Sequence, residues 1–145
     1  MKIYRVEYHA RKIGWLGLYK GMNYVSSIQT EHEVNEKWCN IYDEMGSVRH
    51  PSPYDYKREP DIHNLFYKTP GRSDCYFFGF KTKTQLRNWF KIGKESLNVF
   101  FKEGNFYVKQ YECDPKDVVV GNHQCAFIKN NAQEMWRQQL RDFLQ

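Results

Sequence analysis

The sequence predicts an α+β fold: a mainly antiparallel sheet, or pair of sheets, accompanied by three to four helices. Three observations predict it. Strand-like stretches joined by short turns crowd the second half of the chain. Capping patterns at Thr30-x-x-Glu33, Thr82-x-x-Gln85 and Asn131-x-x-Glu134 each precede apolar residues at helical spacing. The aromatic content is 17%, with 11 Tyr and 10 Phe, which demands a packed core although the mean hydropathy is −0.82. At 145 residues the whole chain, 1–145, is expected to be one domain. That length buries roughly two thirds of the unfolded surface without staples.

The elements follow in order. Ile3 to His9 alternates Ile3, Arg5, Glu7 against Tyr4, Val6, Tyr8, the period of a strand. Gly14, Gly17 and Gly21 then predict turns around Trp15 and Tyr19. Residues 31–45 are expected to form a helix, with Val34, Trp38, Ile41, Tyr42 and Met45 at helical spacing and Gly46 as its stop. Residues 46–74 hold four of the five prolines and are expected to be irregular. Tyr76 to Phe80 is aromatic and β-prone, and it runs directly into a helix predicted over 83–94, where Leu86, Trp89 and Phe90 recur at i, i+3, i+4. A further helix is expected at 96–103 and a strand at 106–112. Val118–Val120 and His123–Ile128 read as a hairpin around Gly121-Asn122, a pair that fits a two-residue primed turn. The chain closes on a helix capped at Asn131, with Trp136, Leu140, Phe143 and Leu144 on one stripe.

Composition excludes several classes. No run of apolar residues is long enough for a membrane span, and the first residues enter a strand pattern with no signal-peptide core. A cytoplasmic protein without membrane partners is the expectation. Cys39, Cys75, Cys113 and Cys125 form no C-x-x-C pair, so neither a zinc site nor a disulfide framework is expected. The five histidines show no metal-ligand spacing, and no metal is expected. The net charge is +5, with a local excess: residues 61–100 hold 7 Lys/Arg against 3 Asp/Glu, whereas residues 31–60 hold 4 against 7. A basic field of this kind favours a phosphate-bearing partner or an acidic protein face.

Two constellations carry possible chemistry. Lys83, Arg87, Lys91 and Lys94 make a basic stripe that could track a nucleic-acid backbone, with Tyr76, Phe78 and Trp89 as stacking faces. The same stripe is also what a solvated amphipathic helix shows. The second constellation joins three separated places: Arg5 in the first strand, Phe80 and Thr82 closing the middle strand, and Gln124 in the last hairpin.

This order resembles the three-part signature of the mono-ADP-ribosyltransferases of the diphtheria- and cholera-toxin superfamily, in particular their short phage members. The resemblance implies a split-sheet fold, NAD as substrate, and transfer of ADP-ribose to a macromolecule by a phage or mobile-element effector. It gives Arg5 the ribose or phosphate, Thr82 and Phe80 the walls of the nicotinamide pocket, and Tyr19 a stacking role. Gln124 stands where the family places a Glu, so Glu112 on the preceding strand is the alternative carboxylate for the ribose hydroxyls. Two rival expectations involve no catalysis: a nucleic-acid binder acting through the 83–94 helix, and a host-defence inhibitor acting by protein contact through residues 46–74.

Overall fold

The computed structural model describes residues 1–10, 14–17, 55–68, 75–90 and 105–145. The helices expected at 31–45 and 96–103 lie outside these residues. Strand β1 (Lys2–Ala10) is central to the larger sheet, whose order is β2-β1-β4-β7 with β2 at Gly14–Gly17, β4 at Phe106–Glu112 and β7 at Gln133–Gln139. A smaller sheet has the order β3-β6-β5, from Tyr76–Gly79, Cys125–Ile128 and Val118–Val120. Every described pairing is antiparallel. Helices α1 (Pro60–Lys68), α2 (Lys83–Trp89) and α3 (Leu140–Leu144) complete an α+β architecture.

The two sheets are tied where β3 ends. Tyr4 and Phe80 form a lone antiparallel bridge, exchanging backbone hydrogen bonds of 2.8 and 2.7 Å. Gly79 makes this approach possible: a Cβ there would stand 2.6 Å from Ile3 Cγ2 and 2.9 Å from the Tyr4 carbonyl.

Strand alternation gives β1 two buried faces. On one, Tyr4, Val6 and Tyr8 join Phe106 and Val108 of β4, Leu86 and Trp89 of α2, and Leu140 and Phe143 of α3. On the other, Ile3 packs with Tyr111, Cys113, Cys125 and Phe127, a second core between the sheets. Arg5 and Glu7 share that second face by period two, and both are buried.

Several expectations are corrected. Residues 14–17 form β2 instead of a turn, because Gly14, at φ 94°, reverses the chain and the segment pairs with β1. The Pro-rich 46–74 stretch contains α1, which Pro60 opens at a position where its missing N–H costs nothing. The closing helix begins only at Leu140: Gln133–Gln139 instead extends along β4, whose ladder satisfies more backbone than a helix end would. Helix α2 ends at Trp89, with Phe90 as its C-cap. The hairpin turn runs from Gly121 to Gln124, four residues rather than two, closed by a 2.8 Å bond from the Gly121 N–H to the Gln124 carbonyl. Among the described residues no helix is long and apolar enough to cross a membrane.

Candidate functional site

The densest polar chemistry lies between the sheets. The β1–β4 register sets Arg5 opposite Lys109 and Glu7 opposite Tyr107. Glu7 has no exposed surface, and three cations reach it: Arg5 at 2.9 Å, Lys109 at 3.2 Å and Lys129 at 2.5 Å. The Tyr111 hydroxyl donates at 3.3 Å to Glu7 Oε2, the oxygen that Lys109 also reaches. Lys109 also meets Glu134 at 2.9 Å, and Glu134 in turn holds Arg137 at 2.8 Å. Trp15 of β2 lies under this group, 3.6 Å from the Lys109 ammonium to the ring centroid.

Burial pushes the Glu7 carboxyl up, but the combined field of Arg5, Lys129 and Lys109 outweighs it and holds the group at about 2. Burial pushes the Lys129 ammonium down, aided by Arg5 and Lys109 and opposed by Glu7. Burial, then the Glu7 and Glu134 charges, push the Tyr111 hydroxyl upward, so it stays a neutral donor. The Arg5 guanidinium donates Nη1–H to the Phe78 carbonyl at 2.5 Å and lies 5.1 Å from the Phe77 ring centroid. Its Nη2 is buried and has no hydrogen-bond partner among the described residues. Among the described residues, four cations of this cluster share two carboxylates.

The residues of the sequence constellation fall in different surroundings. Arg5 points into the inter-sheet cluster, while Phe80 faces the other side of β1, its ring 5.3 Å from Trp89 in the first core. Thr82 is exposed on that same side. Its hydroxyl accepts from the Gln85 N–H at 3.0 Å, and Gln85 Oε1 accepts from the Lys81 and Thr82 N–H groups, a complete capping box. Helix α2, at seven residues, is too short to offer more than this cap. Gln124 is buried next to Cys125, which pairs with Gly79. Glu112 lies at the end of β4, opposite Lys2, where it pairs with the Met1 amino group at 2.8 Å. β1 therefore separates Arg5 from Phe80 and Thr82. Tyr19, Lys91 and Lys94 lie outside the described residues. Lys83 and Arg87 stand on the exposed side of α2, over the rings of Trp136 and Phe143 respectively.

A second feature lies on the α2 side. Gln85, Asn88 and Trp89 face Asn122 and His123 across an open groove of about 230 Å3. Beneath it, the fully buried Glu59 accepts from the N–H groups of Asn122 at 2.7 Å and His123 at 2.9 Å, and its carboxylate is 3.2 Å from His123 Nδ1.

Sequence reasoning missed Glu7, Lys109, Lys129 and Glu59. The alternation Ile3, Arg5, Glu7 marks one face of a strand but not what lies on it, and only partners more than a hundred residues away, such as Lys129, show that it is covered. Glu59 precedes Pro60, and nothing local marks its carboxylate as the anchor of a turn 63 residues further on. Among the described residues no group of three or more His, Cys, Asp or Glu could hold a metal ion.

No curated protein and no solved structure matches the chain. A family model described as Bacteriophage T4 Y00F protein matches residues 1–141. Both sheets, helices α1 and α2 and the charged cluster all lie within the match, and the chain belongs to this bacteriophage T4 protein family.

Proposed function

We propose that the protein binds a phosphate-bearing nucleotide, NAD foremost, through the Arg5 cluster. The observation that supports this is the buried Nη2 of Arg5, without a hydrogen-bond partner among the described residues, in a cluster whose described cations outnumber its carboxylates. Surplus buried charge is costly unless an anion compensates it. A pyrophosphate offers paired oxygens that suit the fork of a guanidinium better than the point charge of an ammonium. Lys129, whose side chain is 23% exposed, gives the cluster its contact with solvent.

ADP-ribose transfer is the stronger form of this proposal and needs a carboxylate at the ribose hydroxyls. Gln124 is neutral, and Glu112 is engaged with the Met1 amino group. A neutral amide stabilises a developing cation far less than a carboxylate does. Binding is therefore the proposed activity, and transfer to a host macromolecule is its extension. Isothermal titration with NAD, ADP-ribose and pyrophosphate tests it. All three ligands release heat, and Arg5→Lys weakens them by about tenfold, the equivalent of one lost bidentate contact of about 1.4 kcal/mol. No heat at millimolar ligand contradicts it.

A nucleic-acid reading draws on the exposure of Lys83 and Arg87 on α2. It predicts retention of single-stranded DNA on a filter at low salt and a steep loss as salt rises.

A further inference from the structure

We propose that the groove between α2 and the Gly121–Gln124 turn is a recognition site for one planar, hydrogen-bonding ring: an unpaired nucleobase. This inference is independent of the Arg5 cluster, with which the groove shares no lining residue.

The lining carries the chemistry. Three of the five residues, Gln85, Asn88 and Asn122, are carboxamides, and the other two, Trp89 and His123, are flat rings. Carboxamides present a donor and an acceptor side by side, the pattern that matches the edge of a base in two bonds. The structure orients two of them in opposite senses. Gln85 spends its carbonyl oxygen on the N–H groups of Lys81 and Thr82, at 3.1 and 3.3 Å, which leaves its NH2 as donor. Asn122 spends its NH2 on the Arg58 carbonyl at 2.7 Å, which leaves its oxygen as acceptor. The helix wall thus offers donors and the turn wall an acceptor.

The walls are held in advance. Glu59 fixes the backbone of Asn122 and His123 and the imidazole Nδ1 together, so it is a positioning residue for the turn wall. Gly121 leaves room for it: the position its Cβ would occupy falls among the Glu59 carboxylate, Ile62 and the Gln124 carbonyl. Preorganised polar groups of this kind lose little entropy on binding. The volume, about 230 Å3, is below the range of roughly 300–1,000 Å3 for drug-sized ligands, which suits a single ring system and not a dinucleotide. Lys83 and Arg87 lie on the opposite face of α2, over Trp136 and Phe143, so the groove itself is lined by neutral carboxamides and rings.

The test is a 1H–15N NMR titration of the full chain with adenosine, guanosine, cytidine and thymidine, which carry no phosphate. At least one nucleoside is expected to shift the side-chain amide signals of Gln85, Asn88 and Asn122 saturably. Asn88→Ala is expected to weaken that binding by about tenfold, as loss of a base-edge pair would. Because Asn88 is exposed, its thermal midpoint should not move; His123→Ala serves as a second variant on the opposite wall. If no nucleoside moves these amides, or if both variants bind as the parent does, the proposal is overturned. It is equally overturned if pyrophosphate shifts them and nucleosides do not. Failure here leaves the pyrophosphate titration of Arg5 unaffected, and the filter assay for Lys83 and Arg87 is read separately.

Discussion

Glu7 shows how a single side chain can organise a covered face. Its carboxylate is desolvated, yet the three cations around it keep it ionised. Glu7→Gln leaves Arg5, Lys109 and Lys129 without their shared counter-charge, and a broken buried pair of this type costs about 3–5 kcal/mol. Urea unfolding at neutral pH measures it. The same residue predicts a pH dependence. Its carboxyl sits at about 2 in the folded chain against an ordinary value of 4.5. Its contribution is then complete above about 4.5 and is lost as pH falls toward 2, because the unfolded chain takes up the proton first. The slope of stability against pH in that window should be present in the parent and flattened in Glu7→Gln. Cysteine chemistry follows the same logic of burial. The Cys125 thiol is pushed up to about 12 by burial, while Cys75 is exposed. Brief alkylation at pH 8 followed by peptide mapping should label Cys75 and spare Cys125. Arg5 was singled out in the sequence by the resemblance to the ADP-ribosyltransferase signature, and it is buried in the fold. Its companion Glu7 was not, because alternation alone cannot tell a solvated face from one covered by a second sheet.

At the scale of elements, local signals held where they were self-contained. Thr82-x-x-Gln85 predicts a cap, and both of its reciprocal bonds form. Thr82→Ala should therefore destabilise the chain by about 1 kcal/mol, with Thr82→Ser close to the parent, in a thermal unfolding series. Gly79→Ala should cost more, roughly 1–3 kcal/mol, since the added methyl meets the Ile3 side chain and the Tyr4 backbone at the join of the sheets. Strands β1, β3, β4, β5 and β6 were readable from alternation and β-branched or aromatic content. β7 was not: Gln133–Gln139 has the composition of a helix and becomes a strand because β4 offers it a complete ladder. Asn131 illustrates the same override. It looks like a helix cap, but its amide donates to Asp117 from the end of a short 3-10 turn.

For the whole molecule, the class was legible and the layering was not. Antiparallel pairing among short strands follows from local turns, whereas the Tyr4–Phe80 bridge joins segments 76 positions apart with no local mark. That bridge decides what the candidate residues can do together. It turns Phe80 into the first core and leaves Arg5 in the second layer, so the two do not share one hollow. Arg5, Thr82 and Gln124 thus fall in separate surroundings: Arg5 in the charged cluster between the sheets, Thr82 at the cap of α2, and Gln124 buried just before β6.

Anion binding at the Arg5 cluster, as proposed above, would be reported by the guanidinium itself. Side-chain 15N NMR of Arg5, recorded while pyrophosphate and then NAD are added, should show its Nε and Nη signals shifting saturably and exchanging more slowly as Nη2 gains a partner. Signals that stay unmoved at millimolar concentrations of both ligands would contradict it.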